Sequence, residues 1–263
     1  MQFLSVTDNL RDSFRILCAG RPRAHIGELP GIGLASLGVA FQMFNAAFLS
    51  APVDSPADME LRLQTARRHF EARGMPWSFW ICEDWLTRKV RRKLSQICFD
   101  RGLRLAAEMP GMIAQQVEPP SLRQHSELVI RRVDSIHSLA HFRAIGSTCF
   151  HVPIVWFTEV FDDNLSARED FVCWVGYQDG VPVATAASVT SAGAIGIYNV
   201  GTMPGHRGRG HGEAITRHAI AQALRSRPGV PVVLQSTEQG LKIYERMGFR
   251  AITRILVYNS APQ

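Results

Sequence analysis

Short apolar runs rich in β-branched residues, separated by stretches of helical periodicity, fill the C-terminal half of this chain. Asp179–Gly180 joins two of these runs as a typical hairpin turn. After Gly210, apolar residues recur at helical spacing until Pro228–Gly229. The predicted strands cover 127–133, 171–177, 181–190, 195–202 and 232–235, with closing strands over 249–258. The predicted helices run from a cap at Asp134 to about Phe150, from Pro153 to about Leu165, after Gly210 and over 240–247.

This order of elements, an antiparallel hairpin mixed with helices, predicts an α+β or α/β layer domain. The N-terminal half contains an uncharged segment, 29–53, that is long enough to form a membrane helix. Glycines and polar residues interrupt this segment and prolines lie near both ends. Two or three buried strands are therefore the preferred interpretation.

A domain boundary is predicted near the middle of the chain. Residues 115–126 are polar and contain two adjacent prolines, a composition typical of a linker. The chain has 263 residues, which is enough for two domains of ordinary size. We therefore expect an N-terminal domain over 1–115 and a second domain over 127–263.

Composition and charge narrow the class of protein. Hydrophobic residues make up 46% of the chain and charged residues 20%, as in globular proteins with a real core. The net charge of +6 suits an anionic ligand. The densest basic cluster, 88–93, is short and isolated, so neither nucleic acid nor a membrane is predicted as a partner. Five cysteines without a CxxC pair disfavour a disulfide framework or a zinc site, and they predict a cytoplasmic protein without a metal.

The chemistry concentrates in a glycine-rich turn between the strand that ends at Thr202 and the helix after Gly210. Backbone N–H groups there would point into one concavity, with a helix dipole behind them and Arg207 and Arg209 beside them. This arrangement is a cradle for phosphate groups. Glu213 stands where a dinucleotide-binding fingerprint needs Gly or Ala, and the Gly-Lys-Ser/Thr ending of a P-loop is absent.

Two motifs, in this order along the chain, resemble the signatures of the GNAT superfamily of acyl-CoA-dependent N-acyltransferases. The first is Arg207-x-x-Gly210-x-Gly212 between a strand and a helix. The second is the stretch 234–249, in which Tyr244 precedes a Gly-Phe strand start. The resemblance covers about 127–258, and it implies a GNAT-like mixed, mostly antiparallel sheet flanked by helices.

The resemblance also implies a role for each matching residue. The acyl carbonyl and the pantetheine arm of acetyl-CoA are expected at the backbone of Val200, Gly201 and Thr202. The pyrophosphate is expected at Arg207, Gly208, Arg209, Gly210, His211 and Gly212. Tyr244 is expected to protonate the departing thiolate as a general acid. The implied activity is transfer of an acetyl group from acetyl-CoA, a cosubstrate, to an amine, without a metal.

One departure from the family concerns the general base. Some GNAT enzymes carry a glutamate on the strand before the glycine loop, whereas 194–202 contains no acid. The base, the acceptor amine and the oligomeric state, including a homodimer, therefore stay open. A CoA-binding regulatory or interaction module without turnover is the alternative function. The missing acid favours this alternative, and the presence of Tyr244 disfavours it.

Two further pairs of residues imitate active sites. His137 and His141 have the spacing of a helical zinc pair, but Ser138 replaces the glutamate of a zinc-protease motif. Cys149 and His151 imitate a nucleophile and its base, but no glycine elbow accompanies them. Neither pair is predicted to form a site.

The N-terminal half shows short similarities to the C-terminal half. Gly74-Met-Pro precedes a predicted strand as Gly229-Val-Pro does, and the helix end, glycine and strand start at 97–104 recur at 243–250. We therefore interpret 1–115 as a degenerate second copy, so that the chain is a tandem pair of GNAT-like domains. This copy has no phosphate loop, since 51–58 contains neither glycine nor arginine, and Cys98 stands where Tyr244 stands.

Overall fold

The computed structural model describes residues 1–120 and 127–260, and this part of the chain contains seven α-helices and eleven β-strands. The helices are α1 (Phe3–Cys18), α2 (Pro56–Glu71), α3 (Arg88–Asp100), α4 (Ile136–Phe150), α5 (Ile154–Val160), α6 (His211–Ser226) and α7 (Glu238–Arg246). The strands are β1 (His25–Leu29), β2 (Ile32–Ser36), β3 (Asn45–Leu49), β4 (Ser78–Cys82), β5 (Leu103–Ala114), β6 (Val129–Arg132), β7 (Phe171–Gln178), β8 (Val181–Ser191), β9 (Ala194–Thr202), β10 (Val232–Gln235) and β11 (Arg250–Ser260).

The chain divides into two compact units that do not follow a single cut in the sequence. The C-terminal unit consists of 1–13 and 112–250, and the N-terminal unit consists of 14–111 and the residues from Ala251 onward. Each unit thus includes a short segment from the opposite end of the chain. Residues 121–126 of the predicted linker and 261–263 of the predicted second domain lie outside the described residues.

The N-terminal unit combines a mixed sheet with α2 and α3. β1, β2 and β3 form an antiparallel meander, and β3 pairs with β4 in parallel, which requires the crossover through α2. β11 pairs with β4 in antiparallel orientation. The core joins apolar residues of these strands to those of the two helices, and Met59, Phe70 and Phe79 within it are 0% exposed.

The C-terminal unit has the same kind of sheet around a second core. β6, β7, β8 and β9 form an antiparallel meander, and β9 pairs with β10 in parallel across the crossover helix α6. α6 buries Ile215, Ala219 and Ile220 against β8 and β9, on the apolar face that its sequence predicts. A mixed, mostly antiparallel sheet flanked by helices is therefore confirmed.

Two predictions about local structure are confirmed. Asp179 and Gly180 both have positive φ angles, 50° and 79°, as a type I′ hairpin turn requires. The uncharged segment 29–53 contains the buried strands β2 and β3. Among the described residues, no helix is both long and apolar enough to span a membrane.

Three details in the C-terminal half of the sequence differ from the sequence prediction. Ser135, not Asp134, caps α4, because Ser135 and Ser138 form a reciprocal capping box. The helix after Pro153 ends at Val160, before the expected end near Leu165. One long strand, β11, stands where closing strands were expected, since no turn interrupts 250–260.

Helix α1, which the sequence pattern does not predict, contributes a buried asparagine to the C-terminal unit. Asn9 is 0% exposed, and its amide nitrogen lies 3.0–3.2 Å from the carbonyl oxygens of Val189, Ser191 and Ala194. Its amide oxygen accepts a hydrogen bond of 2.7 Å from the Tyr198 hydroxyl. Asn9 therefore satisfies polar groups around the turn between β8 and β9.

Replacing Asn9 by leucine should lower the free energy of unfolding by about 3 kcal/mol, because a similar volume is kept while buried polar groups lose their partner. Chemical denaturation followed by circular dichroism measures the change. Thr7→Ala is the control, since the Thr7 hydroxyl donates to the Leu4 carbonyl of its own helix, α1. It should cost less than about 1 kcal/mol. Equal stability of the two variants would contradict the role given to Asn9.

Candidate functional site

A β-bulge shapes the end of β9. The register between β8 and β9 shifts between Thr185 and Ala187, and Asn199 on β9 has a φ of 50°. The Thr185 hydroxyl donates to the Asn199 carbonyl at 3.0 Å. A bulge leaves backbone groups outside the ladder of strand hydrogen bonds. Here it does so directly before 200–202, the segment predicted to hold the acyl group.

The glycine loop connects the end of β9 to the start of α6. Gly208 and Gly210 have φ angles of 76° and 79°, a conformation that residues with a side chain rarely adopt. Gly210 is the N-cap residue of α6 and offers no side chain to bond the first N–H groups of the helix. The N-terminus of a helix favours an anion, because its first N–H groups and its dipole carry partial positive charge. Arg207 donates from Nε to the Thr202 carbonyl at 3.1 Å.

A cavity of about 400 Å³ brings the end of β9, the glycine loop and α7 together. Among the described residues that line this cavity, two members of the predicted site, Arg209 and His211, are missing. Their side chains form hydrogen bonds with Gln178. The other eight line it: Val200, Gly201, Thr202, Arg207, Gly208, Gly210, Gly212 and Tyr244.

Tyr244 lies on α7 at the wall of this cavity, with 9% of its surface exposed. Burial raises the pKa of its hydroxyl to about 12, and a hydrogen bond with Thr216 opposes this shift to a smaller extent. The phenol therefore keeps its proton at neutral pH and is able to donate it. Gly240 precedes it by one helical turn, and an added Cβ there would lie 3.0 Å from Cε2 of Tyr244. The ring thus packs closely against the backbone of its own helix.

The C-terminal end of α4 supplies a wall of the cavity that the sequence pattern does not predict. Cys149 and Phe150 line the cavity there. A Cβ added to Gly201 would lie 3.1 Å from Cβ of Cys149, so glycine at this position permits the close approach of α4 to β9. Burial raises the pKa of the Cys149 thiol, and nearby Arg207 lowers it to a smaller extent. The thiol is therefore not a thiolate at neutral pH, as a nucleophile would have to be.

Glu213 also lines the cavity, although its place in the sequence served above only to exclude a dinucleotide-binding motif. It is 5% exposed, and its carboxylate lies 2.8 Å from the guanidinium of Arg217 and 3.5 Å from that of Arg246. The i,i+4 spacing predicts the pair with Arg217. The pair with Arg246 joins α6 to α7 and could not be read from spacing. Since Arg246 also lines the cavity, Glu213 holds a positive charge at its wall.

One family model matches part of this chain. Residues 169–251 match the family model described as the acetyltransferase (GNAT) domain. A search of curated proteins gives no significant match.

Three solved structures are similar to the chain over most of its length. A GCN5-related N-acetyltransferase from Kribbella flavida is 18% identical, with a TM-score of 0.73, 98% of this chain covered and 96% of that one. A functionally unknown conserved protein from Staphylococcus epidermidis is 12% identical, with a TM-score of 0.66 and coverage of 90% and 94%. A GCN5-related N-acetyltransferase from Sphaerobacter thermophilus is 14% identical, with a TM-score of 0.63 and coverage of 98% and 90%.

These similarities confirm the family resemblance that the two sequence motifs carry. The chain has the fold of the GNAT superfamily, a fold of acetyltransferases, and residues 169–251 carry the match to its acetyltransferase domain. At identities of 12–18%, the solved structures establish the fold alone. The roles of the individual cavity residues stay predictions.

Proposed function

We propose that this chain is an N-acetyltransferase that moves the acetyl group of acetyl-CoA to an amine. The observation that carries the proposal is one cavity in which the β9 bulge, the glycine loop and Tyr244 meet. The GNAT fold supports acetyl transfer in general. Our proposal adds the identity of the cosubstrate, the roles of the site residues and catalytic turnover.

We assign the pyrophosphate of acetyl-CoA to the glycine loop and the first turn of α6. Two glycines with positive φ shape the loop there so that backbone N–H groups would face the phosphates, and the helix dipole adds partial positive charge. Arg207 and Arg246 place guanidinium groups at the wall of the same cavity. The backbone N–H groups and the two guanidinium groups both favour a ligand with several negative charges.

The proposed reaction begins when the amine nitrogen attacks the thioester carbonyl carbon. The negative charge that develops on the carbonyl oxygen would be stabilised by backbone N–H groups at 200–202, which the bulge fixes in place. The carbon–sulfur bond then breaks, and Tyr244 donates its proton to the departing thiolate. The products are an amide and free coenzyme A.

The proton of the attacking amine must go to water or to a residue outside β9. This strand contains no acid. Among the described residues that line the cavity, Glu213 is the only acid, and it is engaged with two arginines. The acceptor binds before this step as a neutral amine, so the reaction should become faster as pH rises toward the pKa of the acceptor.

We further propose that 1–115 is a degenerate GNAT-like domain that binds no acyl-CoA. The order strand, helix, strand, helix, strand runs from β3 to β5 and again from β9 to β11. In place of a glycine loop, Arg62 on α2 donates to the carbonyl oxygens of Ala51 at 2.8 Å and Pro52 at 2.6 Å, and it pairs with Asp58. Carbonyl oxygens and a carboxylate gathered around an arginine do not form an anion cradle.

The full chain should bind one acetyl-CoA per polypeptide and gain thermal stability from it, because a ligand that binds the folded state stabilises it. Isothermal titration calorimetry gives the number of sites and a thermal-shift measurement the stabilisation. Arg207→Ala should weaken binding roughly tenfold. Arg225→Ala, at an exposed arginine near the end of α6, is the matched control and should bind as the wild type does. Two sites of comparable affinity would contradict the degenerate domain, and no binding would contradict the whole proposal.

Turnover separates the enzyme from the alternative, a CoA-binding regulatory or interaction module. Release of free thiol from acetyl-CoA is followed with a panel of small amines, aminoglycosides, amino acids and peptide N-termini. Amine-dependent thiol release supports the enzyme. Binding without thiol release for any class of amine would support the module.

The proposed setting is a reducing, cytoplasmic one. All five cysteines of the chain are free thiols. Proteins that fold in oxidising compartments commonly use cysteines in disulfides.

A further inference from the structure

One side chain outside the cavity, that of Gln178, forms hydrogen bonds with three side chains of the glycine loop. Gln178 is the last residue of β7 and directly precedes the Asp179–Gly180 hairpin turn. The register between β7 and β8 shifts beside it, at Gly176 and Tyr177. The strand end that carries Gln178 therefore lies between an irregularity in the β7–β8 ladder and a tight hairpin turn.

Three side chains of the loop surround the amide oxygen of Gln178. His206 Nδ1 lies 3.0 Å from Oε1, and His211 Nε2 lies 3.2 Å from it. Arg209 Nη1 donates to the same oxygen over 3.5 Å. One carbonyl oxygen thus accepts from residues before, between and after the two glycines that shape the loop.

This arrangement matters because glycines make the loop flexible. Gly208 and Gly210 both adopt positive φ angles, and glycine has the largest backbone entropy to lose when a conformation is fixed. Fixing the residues on both sides of each glycine at one acceptor limits that freedom before any ligand binds. A preorganised loop binds more tightly because less entropy is lost on binding.

The two histidines suit this role in their neutral form. A neutral imidazole donates from one nitrogen, so His206 would carry its hydrogen on Nδ1 and His211 on Nε2. Burial lowers the pKa of His211, and the nearby His206 and Arg209 lower it further. Near neutral pH, His211 therefore bonds Gln178 as an uncharged donor.

We propose that Gln178 is a positioning residue for the phosphate cradle: its amide oxygen holds His206, Arg209 and His211 so that the loop is preformed for the phosphate-bearing part of the cosubstrate. This inference rests on the proposed function. It also gives Arg209 and His211 a place in the site, since both act through Gln178 and not from the cavity wall.

The test compares two thioesters on the full-length chain. Gln178→Met keeps the length of the side chain and removes the amide oxygen, and Gln178→Ala serves as a second variant if the first does not fold. Binding of acetyl-CoA should weaken roughly tenfold in either variant. The reason is that the loop would then lose conformational entropy on binding, which lowers the net binding free energy. Binding of S-acetyl-pantetheine, which has the thioester arm but no phosphates beyond it, should stay unchanged.

The control variant is Gln96→Met, since Gln96 is an exposed glutamine of α3 whose amide bonds Asp100. It should bind both thioesters as the wild type does. Equal weakening for both thioesters in the Gln178 variants would indicate general damage to the unit and overturn the inference, as would unchanged acetyl-CoA binding. If the wild-type chain binds neither thioester, the proposed function fails first, and this outcome is distinct from a failure of Gln178 alone.

Discussion

Replacing Gly210 by valine is expected to abolish acetyl-CoA binding, with an increase in Kd of at least roughly 100-fold. Gly210 has a φ of 79°, which a β-branched residue adopts only at a substantial energetic cost. In the part of the chain that the structure describes, no heavy atom beyond the chain neighbours of Gly210 lies within 4 Å of an added Cβ at this position. The loss should therefore come from the backbone geometry of the loop and from a side chain standing where the pyrophosphate is proposed, not from a collision inside the protein. Calorimetric titration with acetyl-CoA measures it.

The matched control for this variant lies in the same loop. Gly205 is not among the glycines with positive φ, and an added Cβ there also has no heavy atom of the described residues within 4 Å, apart from those of its chain neighbours. Gly205→Val should bind acetyl-CoA within about threefold of the wild type, since no strained conformation is required. Circular dichroism confirms that both variants are folded. A folded Gly210→Val chain with wild-type affinity would mean that the cradle is elsewhere.

Tyr244→Phe is expected to lower the rate of acetyl transfer on the order of 100-fold while acetyl-CoA affinity stays within a few fold. The substitution keeps the buried ring and its edge-to-face contact with Phe249, whose ring centre lies 5.8 Å away. Only the hydroxyl that would protonate the thiolate is removed. Steady-state kinetics with an accepted amine, together with calorimetry, separates the two quantities.

The control for Tyr244 is a second buried tyrosine. Tyr258 is 3% exposed, lies in the N-terminal unit and bonds Ser95 through its hydroxyl. Tyr258→Phe should leave turnover unchanged. Unaltered turnover in Tyr244→Phe would instead reduce Tyr244 to a packing residue.

A pH profile tests the same role. The pKa of Tyr244 is raised to about 12, so its neutral form persists as pH rises past the value of about 10 at which a free tyrosine ionises. No fall in rate is therefore expected below about pH 10 in the wild type. A rate that falls with an apparent pKa well below that value would mean that another group supplies the proton.

Much of the C-terminal unit could be predicted from its sequence because the determining interactions are local. The Asp179–Gly180 hairpin depends on two adjacent residues that tolerate positive φ. The glycine loop and the start of α6 depend on Gly208 and Gly210 in the same way. The apolar face of α6 follows from helical periodicity alone.

The sequence also carries enough chemistry to indicate the family. Two motifs about thirty residues apart, in the loop before α6 and on α7, have the residue types that the GNAT resemblance requires, and the fold confirms the resemblance. Their meeting at one cavity follows from a parallel β9–β10 pair, which brings the ends of both strands to the same edge of the sheet.

Only the tertiary structure determined the contacts between residues that are far apart in the chain. Asn9 reaches carbonyl groups 180 to 185 positions later, and β11 pairs with β4. Glu213 links α6 to Arg246, and Gln178 forms hydrogen bonds with loop residues 28 to 33 positions later. No spacing rule predicts such pairs, because a buried polar group bonds whichever partner the packing of the sheets and helices brings within about 3 Å. The sequence by itself therefore determined the local elements and the family, while packing determined which side chains support the site.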